Sequence, residues 1–87
     1  MAEEQVGRVV KFFSKPGVAA VEITAGTLKV GDTIRIKGHT TDFMDTVASM
    51  QIEKEPVEKA NPGDTIGIKV KDRVREGDLL HKVTKDD

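Results

Sequence analysis

Glycine breaks this chain about every ten residues, and the stretches between are short runs in which Val, Ile and Thr alternate with polar side chains. Alternation at period two marks a half-buried strand, and helical signatures are scarce, so the chain reads as all-β. The first run, 5–13, stops at "SKPG". There Pro16 presets one turn dihedral and Gly17 supplies the positive φ a type II turn needs next, so the second run, 18–24, returns as a hairpin partner. Leu28 and Val30 bridge to a third run, "TIRIK" (33–37), with Ile34 and Ile36 alternating against Arg35 and Lys37. In the fourth run, 46–55, the spacing of Val47, Met50 and Ile52 departs from period two and predicts a β-bulge near Ser49. Pro56 places the end of that run on an edge or an exit. "TIGIKV" (65–70) and "LLHKV" (79–83) bring the count to six.

Three of the six runs are preceded by the same pair, Gly31-Asp32, Gly63-Asp64 and Gly77-Asp78. Glycine there can take a positive φ while the aspartate carboxylate accepts a backbone N–H, and the unequal spacing makes the pairs turn devices and not a repeat. A flat sheet of six short strands would leave two edges and a half-exposed apolar face. Closure into a six-stranded antiparallel Greek-key barrel removes both, with the long 38–46 and 55–64 connections supplying the crossings. One domain over 1–87, with its core in 5–83, is expected. The start at Met1 and the end just past the last strand suit a complete small protein, and a monomer is expected.

A chain of 87 residues builds one small core, with a stability of roughly 4–13 kcal/mol. That margin favours a binding module over demanding catalysis. The absence of cysteine removes disulfides and thiolate metal sites, and no apolar run approaches the ~20 residues that span a bilayer, so a cytoplasmic protein is expected. Fifteen acidic and fourteen basic side chains give a net charge of −1, which excludes nucleic-acid binding by bulk charge but not by a local patch.

No phosphate-binding loop and no dinucleotide fingerprint occurs, so no nucleoside triphosphate is expected to bind this chain alone and no cofactor is implied. His39, His81 and Asp42 lack any recognisable metal-ligand spacing. In "KGHTTDF" (37–43) neighbours along an extended chain face opposite ways, so they cannot converge as a nucleophile and its base, and no catalytic residue is assigned. The plain structural reading gives each a turn role: Gly38 ends a strand, Asp42 and the threonines satisfy loop amides, and Phe43 covers the barrel end. A recognition surface at the same loop, with His39 and Phe43, is the functional alternative.

The strongest charge feature is "KVKDRVR", where Lys69, Lys71, Arg73 and Arg75 recur at every second residue. On a strand this is a comb of cations facing one way, able to track a phosphate backbone or an acidic protein surface, although the strand is expected to break near Asp72. Arg8, Lys11 and Lys15 form a second group. Phe12 and Phe13 are adjacent, so one must be exposed or sit at the barrel end, where it could anchor a partner. With no Trp or Tyr and three Phe, base stacking is limited.

Taken in order, "VGRVV", "AGTLKVGDTIRIKG", "VASMQIEKEPVEKANPGDTIGIKV" and "REGDLL" resemble the second domain of the translational GTPases, the β-barrel that follows the nucleotide-binding domain in elongation factor Tu. The carriers include Gly7, Val9, Leu28, Gly31, Asp32, Gly63, Asp64 and Gly77, and the resemblance spans about residues 5–83. Through "KGHTTDF" and "MQIEKEPVEKA" the chain also resembles the small C-terminal barrel of collagenase-like peptidase family proteins, which lies outside their catalytic portion. Phe12 stands where the factors carry a second glycine and Ala25 where they commonly carry arginine, so the contacts of those positions are not carried over. The resemblance implies a non-catalytic translation-factor-like barrel. The link of the peptidase-like family to RNA modification adds an expectation of tRNA or ribosomal RNA bound by Lys69, Lys71, Arg73 and Arg75, with Arg8, Lys11 and Lys15 in support. The alternative is a docking module acting in trans with a larger enzyme or translation factor, through Phe12 or Phe13, His39 and Phe43.

Overall fold

The computed structural model describes residues 2–84, in which strands are the only regular elements. They are β1 (Ala2–Phe13), β2 (Val18–Ile23), β3 (Leu28–Lys29), β4 (Thr33–Lys37), β5 (Asp42–Thr46), β6 (Met50–Ile52), β7 (Glu55–Val57), β8 (Lys59–Ala60), β9 (Thr65–Lys69) and β10 (Leu79–Thr84). All pair antiparallel. Eight of them form one sheet in the order β5-β4-β10-β1-β2-β9-β6-β7, and β3 pairs with β8. Strands distant in sequence do become neighbours, since β10 lies between β4 and β1 and β9 between β2 and β6, but the 38–46 connection supplies no crossing, because residues 38–41 only turn the chain between neighbours β4 and β5.

The closed six-stranded cylinder is not what the ladders describe. The sheet order ends at β5 and β7, which do not pair with each other, and several runs are subdivided. The 46–55 run holds the end of β5, a segment outside the sheet with Val47 buried, and then β6. Val47 leaves the strand because its N–H donates to the Asp32 carbonyl (2.9 Å) and its own carbonyl accepts from Gly31 (2.8 Å). A strand break thus stands where a bulge near Ser49 was expected. The 38–46 and 55–64 connections are likewise strands in part, contributing β5, β7 and β8. Pro56 does lie on an edge, in terminal strand β7.

Alternation drives the packing. Burial follows the sequence in β2, where Ala19, Val21 and Ile23 point inward, and in β4, where Ile34 and Ile36 do. These residues join Val9, Leu28, Met50, Ile66, Ile68 and Leu80 in one buried cluster. Six strands of the sheet contribute inward side chains to a single core, so the sheet curls around it. The seam beyond β5 is bridged where Asp45 Oδ2 accepts the Lys71 N–H at 2.9 Å. Long β1 follows the curl through two register shifts, one between Gln5 and Gly7 against β10 and one between Val9 and Lys11 against β2.

The three Gly-Asp pairs build one device three times. Asp32, Asp64 and Asp78 each accept, through Oδ2, the N–H of the residue three positions earlier (Lys29, Asn61 and Arg75) at 2.8 Å. Each aspartate's N–H donates back to that residue's carbonyl, at 3.0–3.1 Å. The intervening glycines have φ of 96°, 95° and 91°, the left-handed geometry that glycine adopts without a Cβ penalty. At "SKPG" the bond runs from Gly17 N–H to the Phe13 carbonyl (3.0 Å), a wider turn than the type II turn the Pro-Gly pair suggests, with Gly17 at φ 69°.

The β6–β7 hairpin carries strain. Ile52 faces Glu55, leaving a two-residue turn in which Glu53 (φ 50°) and Lys54 (φ 67°) are both left-handed, the geometry usually given to Asn-Gly. Lys54→Gly should therefore raise stability by about 0.5–1 kcal/mol, read as a higher chemical-denaturation midpoint. A lower midpoint would contradict the turn assignment.

Candidate functional site

Phe12 and Phe13 resolve through the second shift in β1. Val9 is buried, and after the extra residue Phe12 turns back toward the core and packs against it, while Phe13 is 44% exposed. The Lys11 ammonium lies 5.2 Å from the centre of the Phe13 ring, within cation–π range.

The comb is not one strand face. β9 stops at Lys69 and the chain bends at Lys71-Asp72, leaving Asp72 exposed on what would be the same strand face as buried Val70 and Val74, so the segment is a loop anchored at both ends. All four cations are exposed. Three of their backbone N–H groups are held by carboxylates: Asp45 accepts the Lys71 N–H, the neighbouring Asp72 side chain accepts the Arg73 N–H, and Asp78 accepts the Arg75 N–H, at 2.8–2.9 Å. Asp78 is itself buried, and a Cβ at Gly38 would collide with its carboxylate, so the "KGHTTDF" turn and the comb are wedged together.

That turn is a four-residue hairpin loop, 38–41, closed by Gly38 N–H to the Thr41 carbonyl (2.7 Å) between Lys37 and Asp42. Phe43 packs on the core from β5. Asp42 does not serve a loop amide. Its carboxylate takes two bonds from the Arg35 guanidinium, at 2.8 and 3.0 Å, while Arg35 Nη1 also donates to Glu3 at 3.0 Å, tying β1, β4 and β5. Lys37 joins through Glu3 at 3.8 Å. Hydrogen bonding from Arg35 holds the Asp42 carboxyl below its ordinary range, and Asp42 and Glu3 push the Arg35 guanidinium up. A folded-state pKa held below the unfolded value stabilises the clasp above that unfolded value, with the contribution lost as pH falls through the folded pKa. Carboxyl NMR titration should place the Asp42 midpoint below that of an ordinary aspartate, with Arg35→Gln returning it upward. An unchanged midpoint in the variant would contradict the clasp.

These pieces meet around Arg73, which borders three open hollows of about 310, 390 and 320 Å³. Phe12, Ser14 and Lys71 line the first, Lys11, Phe12, Val74 and Arg75 the second, and Thr40, Thr41, Asp42, Phe43 and Arg75 the third. Of the residues read from the sequence, Lys11, Phe12, Phe43, Lys71, Arg73 and Arg75 therefore come together. Lys69 borders a separate hollow of about 200 Å³ beside Asp45. Arg8 is paired across the hairpin with Glu22 at 3.0 Å, and Lys15, Phe13 and His39 are exposed without lining the Arg73 hollows. Thr40 and Thr41 belong to the loop read as turn or recognition surface, whereas Ser14 was not anticipated, because a turn residue carries no periodicity that points to a shared surface. Among the described residues no group of three His, Cys, Asp or Glu side chains is arranged to hold a metal, and no helix is long and apolar enough to cross a membrane.

Comparison with known proteins places this arrangement in a family. Residues 17–81 match the model of elongation factor Tu domain 2. A collagenase of Porphyromonas gingivalis is 43% identical over 81 residues, covering 92% of this chain and 22% of its own length. An uncharacterised protease of Methanocaldococcus jannaschii is 45% identical over 78 residues, covering 88% of this chain and 19% of its own. Elongation factor 1-alpha of Hyperthermus butylicus is 34% identical over 80 residues, 84% of this chain and 18% of the factor. The chain thus spans about a fifth of the length of these relatives. Among solved structures, the C-terminal domain of a Geobacillus thermoleovorans protein classed as a U32 peptidase superposes with a TM-score of 0.85, covering 91% of this chain and 99% of that domain at 21% identity. At that identity the likeness speaks for the fold alone. By the family model and the run of matched residues, this all-β chain belongs to the elongation factor Tu domain 2 family.

Proposed function

We propose that this chain is a non-catalytic docking domain that works, as a monomer, with a larger protein, supplying in trans a barrel-like module that its relatives carry within one polypeptide. The observation that carries this reading is the relatives' anatomy: at 43% and 45% identity, the matched stretch is 22% and 19% of longer proteins named collagenase and protease. The Arg73 end supports it, because open hollows lined in part by Phe12 and Phe43 suit contact with a macromolecule.

The test is isothermal titration of the pure chain into a U32-peptidase-type protein produced without its own C-terminal barrel, at low and moderate salt. Saturable binding is expected at both ionic strengths, weaker at the higher one because exposed cations border the hollows, and retained there through apolar burial. Absence of binding at both ionic strengths would end the reading. RNA binding is the second reading, favoured by Lys11, Lys15, Lys69, Lys71, Arg73 and Arg75, which make no ion pair among the described residues. It predicts affinity for tRNA that falls steeply as salt rises.

A further inference from the structure

We infer that the Arg73 end takes an extended acidic segment of the partner protein, whose carboxylates meet Lys71, Arg73 and Arg75 while an apolar side chain lies against Phe12 or Phe43. The inference rests on the docking reading and adds the chemistry of what is docked.

Charge complementarity points to that occupant. The chain as a whole is slightly acidic, yet the acids around these hollows are already engaged: Asp42 by the Arg35 guanidinium, Asp72 by the Arg73 N–H, and Asp45 and Asp78 by the Lys71 and Arg75 N–H groups. Of the acids lining them, Glu76 alone makes no bond among the described residues. The head groups of Lys71, Arg73 and Arg75, in contrast, make no ion pair among the described residues. Because every second backbone N–H of the loop is pinned by a carboxylate, ordering the loop has been settled by folding, and binding has less entropy to lose. Arginine then adds bidentate geometry toward carboxylates.

The aromatic residues favour a peptide over a polynucleotide. Bases stack on free ring faces, but Phe12 and Phe43 are packed on the core and the Phe13 ring lies under Lys11. Half-buried rings between cations instead suit an apolar side chain flanked by acids, an anchor with a charged surround.

The probe is an N-acetylated, C-amidated Glu-Glu-Phe-Glu-Glu pentapeptide titrated into labelled protein and followed by amide NMR. Shifts confined to the neighbourhood of Phe12, Thr41, Phe43, Val74 and Arg75 are expected, weakened roughly tenfold or more in Arg73→Glu. Lys59→Glu, on β8, should leave them unchanged, and the peptide with glutamine in place of glutamate should bind far more weakly. No shifts, shifts scattered over the surface, or equal binding by Arg73→Glu would overturn the inference, as would an oligouridylate of matched charge binding these residues more tightly. The barrel-less protein supplies the separation between the two claims. If it binds wild type and Arg73→Glu alike, docking stands and this surface is wrong; if it binds neither, docking itself fails.

Discussion

Gly7→Ala is expected to destabilise the fold by about 3 kcal/mol or more, a third or more of the stability of a small domain near the low or middle part of its usual range. A Cβ at Gly7 would lie 2.5 Å from the Glu22 carbonyl oxygen and 3.0 Å from Val21 Cγ1. The offending atom is backbone of β2, in a stretch where Gly7 pairs with Ile23 on one side and Leu80 on the other. Neither neighbour can retreat without breaking a ladder. Gly67→Ala is the control, because its Cβ would meet only Val18 Cγ1 at 3.4 Å, and it should change stability by less than about 1 kcal/mol. Urea denaturation of both variants checks the pair. Similar losses would mean that strand separation at Gly7 is not the constraint described.

Leu80→Ala should cost about 2–5 kcal/mol, lowering the thermal midpoint by roughly 10 °C or more. Leu80 has 0% exposure in β10, between Gly7 of β1 and Ile36 of β4, so truncation opens a cavity where three strands meet. Differential scanning calorimetry measures it directly. A midpoint within about 2 °C of wild type would show that the inward stripe of β10 is not a shared core.

How much of this was legible depended on whether the cause was local. The Gly-Asp turns were readable because both the left-handed glycine and the accepting carboxylate act within four residues of chain. Alternation gave β2, β4 and β9 because each buries one clean face. Ladder closure and strand number were not readable, since they depend on register between distant segments: Val47 leaves β5 for Gly31 and Asp32, and the shifts in β1 answer β10 and β2 separately. Glu53-Lys54 offered no turn signal at all, being residues that pay strain to occupy left-handed geometry.

The site divides the same way. Period-two cations were visible in "KVKDRVR", but a shared strand face did not follow, because β9 ends at Lys69 and the chain bends at Lys71-Asp72. Which of Phe12 and Phe13 faces out turned on a single extra residue in β1. The Arg35–Asp42 clasp joins diagonal positions of a hairpin and also reaches Glu3, a contact no short sequence window contains.

The central claim is that this domain serves a larger protein through its Arg73 end. It is tested most directly by amide NMR of the labelled chain, titrated in parallel with total tRNA and with the U32-peptidase-type protein lacking its own barrel. The account predicts that the protein perturbs Phe12, Thr41, Phe43 and residues 71–75 and that tRNA at moderate salt leaves them in place. Perturbation of those residues by tRNA alone, with the protein silent, would contradict it.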